Sequence, residues 1–208
     1  MKKLFLGAAI AMSSLTFAQQ FGIKGGMNVS SVSSDATLSD QGSKIGFNAG
    51  VFMNAPLATN FSIQPEIIYT QYGDKYTQTG RTVLEGSTLL TNQTVSNARH
   101  LDYVAVPVMF QYNATPSFYL EAGPEMGLLV SAKNKQKNET SGNTLAESGN
   151  YKDSINGFNV GIGLGAGYYF TPNVGLTARY VAGLTDFNED NNVKERNNTF
   201  QVGLAYKF

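Results

Sequence analysis

The chain has no cysteine, no tryptophan, a single histidine and no net formal charge. Without cysteine there is neither a disulfide framework nor a CxxC-type zinc site, and one histidine does not make an imidazole metal cage. Basic and acidic residues balance at 15 each, so the cationic excess of a nucleic-acid binder is missing. Long apolar runs are also missing after the first residues. Met1–Ala18 carries Lys2 and Lys3, an apolar stretch from Leu4 to Leu15, and small residues at Thr16 and Ala18. This is the pattern of a cleaved signal peptide, and it is short of the roughly 20 apolar residues that a spanning helix needs. If the mature chain, 19–208, is a single membrane domain, it must cross as a closed β-barrel.

Glycine is abundant, with 22 residues beside 11 tyrosines and 13 phenylalanines. The stretch 157–170 shows why. Phe158, Val160, Ile162, Leu164, Ala166 and Tyr168 alternate with Asn159, Gly161, Gly163, Gly165 and Gly167. A period of two sorts side chains onto opposite faces of a strand. An apolar face backed by glycine suits a lipid-facing wall around a narrow interior, and a tilted spanning strand needs only about 9–11 residues. The same alternation predicts further strands over 21–31, 44–54, 61–72, 100–113, 117–131, 174–185 and 197–208. Pro65 and Pro107 fall inside strands, where a missing N–H predicts a local irregularity.

The connections then alternate long and short, with 32–43, 73–99, 132–154 and 186–196 as the long polar ones. The expected fold is all-β: an eight-stranded antiparallel up-and-down transmembrane β-barrel, with long loops outside and short turns on the periplasmic side. Tyr69, Tyr72, Tyr103, Tyr112, Tyr168, Tyr169 and Phe170 lie near strand ends and are expected to form interfacial girdles.

Certain motifs make the chain resemble the outer-membrane β-barrel domain family common in Bacteroidetes, the PorT-like proteins. They are Ile23-Lys24-Gly25-Gly26-Met27-Asn28, Phe61-Ser62-Ile63-Gln64-Pro65-Glu66, Tyr119-Leu120-Glu121-Ala122-Gly123-Pro124 and, most specifically, Ala178-Arg179-Tyr180-Val181-Ala182-Gly183-Leu184-Thr185-Asp186. The resemblance implies export to the outer membrane of a Gram-negative bacterium and insertion by barrel-assembly machinery, which would read the terminal Tyr206-Lys207-Phe208. Phe208 is the expected assembly signal. Family members differ mainly in their loops.

Inward polar residues form the best-defined constellation. Glu66, Glu121 and Arg179 sit at similar heights on their strands, so they can meet across a narrow interior. Glycines on the strand between give Arg179 room to reach Glu121 or Glu125. Lys24 points inward as well. A buried charge without a partner is costly, which favours pairing. Such a cluster serves either as a structural plug or as a gate in a narrow pore.

His100, followed by Asp102, raises an outer-membrane lipid hydrolase as a third reading, but no strand serine is placed to be its nucleophile. Asp186, Asn188, Asp190 and Asn192 have the spacing of a calcium loop without its glycine and terminal glutamate. Asp153-Ser154-Ile155 has the form of a short glycosylation motif. Lys133, Lys135 and Lys137 alternate where lipopolysaccharide phosphates would lie. The expectation is a non-enzymatic, monomeric barrel without cofactor or metal. It touches outer-membrane lipid and lipopolysaccharide, and presents variable loops to a secretion-system or extracellular protein partner. Its role would be surface interaction, envelope integrity or a secretion apparatus.

Overall fold

The computed structural model describes residues 19–34, 41–150, 152, 156–186 and 195–208. The expected leader, most of the calcium-spaced run and the Asp153-Ser154-Ile155 motif lie outside the described residues. Ten strands are present among the described residues: β1 (Gln20–Ser34), β2 (Gln41–Ala58), β3 (Phe61–Tyr72), β4 (Asp74–Glu85), β5 (Thr88–Asn113), β6 (Phe118–Asn138), β7 (Thr144–Glu147), β8 (Phe158–Tyr169), β9 (Val174–Gly183) and β10 (Glu195–Lys207).

Eight of them close a ring in the order β1-β2-β3-β5-β6-β8-β9-β10, every pairing antiparallel. The first and last strands complete the ring, with Gly22 opposite Lys207 and Phe208 N–H bonded to the Phe21 carbonyl at 2.9 Å. Closure satisfies every edge of the wall, as lipid requires. The start of β1, the end of β10 and the short turns at 59–60, 114–117 and 170–173 lie at one end of the barrel.

Alternation sets the two faces as the periodicity predicts. Phe21, Ile23, Met27, Ile45, Val51, Ile67, Phe110, Leu120, Leu128, Ile162, Leu164, Leu176 and Leu204 point outward and are exposed. Lys24, Asn28, Asn48, Gln64, Glu66, Thr70, Gln111, Glu121, Glu125 and Arg179 point inward and are buried. This polar core inside an apolar shell inverts the arrangement of a soluble domain.

Two expectations need correction. The long connection 73–99 is not a loop: β4 and the first half of β5 form a hairpin over it, and β6 and β7 extend the same sheet. Its Thr-rich sequence has strand propensity. However, below its apolar tip both faces of this hairpin are mostly polar, so the alternation used to find the other strands is absent. Second, the girdle loses Tyr72, Tyr103 and Tyr169, which are buried inside the barrel. Tyr72 shares its parity with inward Thr70, and Tyr169 with inward Gly167; nearness to a strand end does not choose the face. Tyr69, Tyr112, Tyr168 and Phe170 do face outward. The irregularities expected at Pro65 and Pro107 are present as gaps in the ladder: the β2–β3 pairing passes from Phe52–Glu66 to Ala55–Ile63, and the β3–β5 pairing from Pro65–Val108 to Ile68–Ala105, each without a change of register. In the barrel wall the register shifts fall at Pro56/Ala58, beside a turn, and at Asp102/Tyr103.

Gly73 joins barrel to projection. It separates β3 from β4 at a φ of +131°, and an added Cβ would lie 2.0 Å from the Arg99 carbonyl oxygen. Replacing Gly73 with alanine is expected to cost about 1–3 kcal/mol, because a strained backbone meets a close contact there. The measurement is trypsin cleavage after Lys75 in detergent. It should be faster in the variant while the barrel itself stays folded, and unchanged cleavage would show that the junction tolerates a side chain.

Candidate functional site: a plugged interior and a projecting sheet

Hydrogen bonding ties the strands together across the lumen. Ring order puts Lys24 on β1, Glu66 on β3, Glu121 on β6 and Arg179 on β9, so the four charges come from alternate strands. Arg179 donates from both terminal nitrogens to Glu66, at 3.0 and 2.7 Å, and from Nε to Glu121 at 2.7 Å. Lys24 Nζ donates to both Glu66 oxygens, at 3.1 and 2.9 Å. The bidentate fork explains why arginine, rather than lysine, occupies position 179.

Neutral side chains complete a closed circuit. Gln64 donates to Glu66 at 2.9 Å, and Gln111 donates to Glu121 at 3.1 Å. Asn54 donates to Gln111 at 2.7 Å and to Gln64 at 3.2 Å. The alternation along β3 places Gln64 inward beside Glu66, whereas Asn54 and Gln111 escaped the sequence reading. Their inward parity on β2 and β5 was the available signal. A charge layer with its hydrogen bonds made is the form in which buried ions are tolerated.

Glu125 stands apart from the layer, contrary to one of the two partners expected for Arg179. Glu121, Gly165 and Arg179 share a hydrogen-bonded row, whereas Glu125 lies in a row with Gly161 and Gly183. Its carboxylate accepts from the Tyr72 hydroxyl instead. Glycine supplies the space for Arg179: a Cβ at Gly163 would come 3.4 Å from Arg179 Cδ and 3.1 Å from Met109 Cε.

Apolar layers lie above and below the charges. Toward the chain termini, Phe52, Tyr119, Tyr169 and Ala205 pack together, with Lys207 Nζ 4.0 Å from the Tyr169 ring centre. At the opposite end Val32, Tyr72, Leu101, Tyr103 and Ala132 form a second cluster, with the Tyr72 and Tyr103 rings 5.4 Å apart.

Beyond that cluster the sheet of β4, β5, β6 and β7 stands out from the barrel. At about 3.3 Å per residue, the twelve residues of β4 reach roughly 40 Å. Asp74, buried at its root, accepts from Arg99 Nε at 2.6 Å and from a terminal nitrogen at 2.9 Å. Higher up, Glu139 accepts from Ser96 at 2.6 Å and Lys75 at 2.9 Å; the Ser96 bond, then Lys75, holds its carboxyl below the usual range. The hairpin tip exposes Leu84 and Leu89, which face each other across it.

His100 sits on β5 opposite Lys133. Burial, then the charge of Lys44, pushes its imidazole below its ordinary value. Among the described residues it makes no hydrogen bond to a serine, and no cluster of acidic or histidine side chains is arranged for a metal.

The sequence model of the outer membrane protein β-barrel domain family matches residues 17–189. The chain belongs to this family. Among solved structures it is similar to Ail, the attachment invasion locus protein of Yersinia pestis, at 15% identity over 92% of this chain and 100% of that one, with a TM-score of 0.50. It is also similar to Neisserial surface protein A, at 17% identity over 92% and 99% of the two chains, with a TM-score of 0.49. For the outer membrane protease OmpT of Escherichia coli the identity is 9% over 91% and 96%, with a TM-score of 0.42. At such identities the likeness to Ail is one of fold alone. Among curated proteins none matches the chain significantly by sequence. The outer-membrane barrel is thus established as family and as architecture.

Proposed function

We propose that this outer-membrane barrel is a non-conducting, non-enzymatic anchor whose working part is the projecting sheet. The observation that carries this reading is the filled lumen. The Lys24, Glu66, Glu121 and Arg179 layer spans it between two apolar clusters. An eight-stranded ring has an interior just wide enough for side chains to fill. Glu125 belongs to the plug through Tyr72 rather than through the ion layer.

The leader 1–18 is cleaved on export, the barrel-assembly machinery reads Phe208, and the barrel works as a monomer among outer-membrane lipids and lipopolysaccharide. Short turns and both termini then lie in the periplasm, and the sheet lies outside the cell. There it serves surface interaction, envelope integrity or a secretion apparatus, as the PorT-like resemblance suggests, through contact with an extracellular or secretion-system protein. A stiff hairpin ending in exposed Leu84 and Leu89 suits protein contact better than catalysis.

One pair of measurements tests this. An epitope inserted between Gly86 and Ser87 should be detected on intact cells, and one between Thr59 and Asn60 only after the outer membrane is opened. The purified barrel should give no stepwise conductance in planar bilayers. Single-channel steps would replace the anchor by the narrow pore, and a periplasmic Gly86 epitope would reverse the orientation.

A further inference from the structure

The outward face of the wall changes chemistry abruptly on one part of the circumference. Along β6 the even-numbered residues Leu120, Ala122, Met126 and Leu128 face lipid. The register then slips: Tyr103 pairs with Leu129, but Asp102 pairs with Ser131. A bulge of this kind re-aims the side chains that follow it. Above it the odd-numbered Lys133, Lys135 and Lys137 share the outward face with His100, Ala98 and Ser96, their partners on β5. Without the slip these lysines would point toward the inner side of the sheet.

The neighbouring strand adds a fourth cation. Lys75 on β4 pairs with Ala98, which in turn pairs with Lys135. Two strand spacings, about 10 Å, separate the Lys75 and Lys135 backbones. Only the small side chain of Ala98 stands between them. In the next row Ser96 stands between Lys137 and Thr77, and its hydroxyl donates to Glu139. The result is a shallow saddle floored by small residues and flanked by long, mobile ammonium groups.

Its ion pairs are exposed, although Glu139 also accepts from Ser96 at 2.6 Å. Lys135 lies 3.8 Å from Glu147 and Lys75 lies 2.9 Å from Glu139, with each side chain between about a third and a half exposed. Exposed pairs of this kind contribute little and are readily exchanged for a better anion. Among the described residues Lys133 makes no ion pair.

We infer that this saddle binds the phosphate groups of the outer leaflet's phosphorylated glycolipid, lipid A. Position decides the ligand. The lysines begin directly above the last lipid-facing residues of the same strands, Val104, Leu128 and Val130. Acyl chains can therefore lie along the apolar wall while the headgroup phosphates reach the ammonium groups, which extend from aliphatic stems. The bulge is what brings the two surfaces into one column.

The inference rests on the orientation proposed above, and the test separates the two. In the chain without cysteine, Arg81→Cys gives a single label site at the far part of the same hairpin. An impermeant maleimide should label it on intact cells; failure to label would overturn the orientation, and the site with it. Binding is measured by native mass spectrometry of the detergent-solubilised full barrel with bis-phosphorylated lipid A. Its dephosphorylated form and phosphatidylglycerol serve as the comparison lipids. The triple variant Lys133→Gln, Lys135→Gln, Lys137→Gln is expected to lose roughly a hundredfold in lipid A affinity while keeping the heat-modified gel mobility of a folded barrel. Arg81→Gln removes a charge of the same sign farther out and should leave binding unchanged. The wild-type barrel should bind dephosphorylated lipid A as weakly as the triple variant binds the phosphorylated form. Equal binding of phosphatidylglycerol, indifference to the phosphates, or full affinity in the triple variant would each overturn the site.

Discussion

Replacing Arg179 by leucine is expected to cost the barrel about 3–5 kcal/mol, the range for breaking a buried ion pair by removing one partner. The side chain is only 2% exposed, and among the described residues it is the cation bonded to both Glu66 and Glu121. Without it Glu66 keeps Lys24 and Gln64, but Glu121 keeps only Gln111. The larger part of the loss should therefore lie at Glu121. Adding Glu121→Gln to the Arg179→Leu barrel neutralises the stranded carboxylate and should recover part of the stability. Urea unfolding in detergent micelles, followed by tryptophan-free tyrosine fluorescence and gel mobility, gives both numbers. A loss below about 1 kcal/mol is the magnitude of a solvated pair. That result would mean water reaches the layer, and the plugged lumen would have to be abandoned.

The second large effect is steric. Gly163→Leu should destabilise the barrel by about 1–3 kcal/mol from overpacking, with a further loss if Arg179 is displaced from its carboxylates. A Cβ alone at this position meets Met109 Cε at 3.1 Å and Arg179 Cδ at 3.4 Å, so the rest of a leucine has no place to go. The neighbouring Ile162 is 47% exposed on the outer wall. Ile162→Leu should be nearly silent, because lipid tails make no fixed demand on side-chain shape. If the two variants behaved in the opposite sense, the faces of β8 would be reversed.

The parts of this molecule that a sequence discloses are those governed by the membrane. The alternation of β8 and the polar parity of Glu66, Glu121 and Arg179 both follow from a wall with lipid on one side and a narrow interior on the other. Where that constraint ends, so does the signal. Residues 74–99 form strands because Thr, Val and Tyr favour extended backbone and Gly86 turns the hairpin at a φ of +63°. Both faces meet polar surroundings there, and no period of two records the strand. Tyr72 and Tyr103 show a related limit. An aromatic ring suits an interfacial girdle and a plug equally, and only parity against Thr70 or Ala105 tells them apart. For Arg179, glycine space was visible in the sequence, whereas the choice between Glu121 and Glu125 depends on register, which is settled by strand pairing across β8.

The interior circuit also bears on time. Lys24 and Glu66 are separated by 42 residues, Arg179 and Glu121 by 58, and Arg179 and Glu66 by 113. Contacts between such distant parts of a chain are slow to form, since loop-closure entropy is lost before they contribute. The Arg179–Glu66 bridge in particular spans opposite strands of the ring and needs the cylinder to be almost complete. Interactions that appear after the rate-limiting step chiefly slow the reverse reaction. The charge layer therefore acts as a latch set at the end of assembly: it scarcely hastens insertion, but it lengthens the life of the inserted barrel.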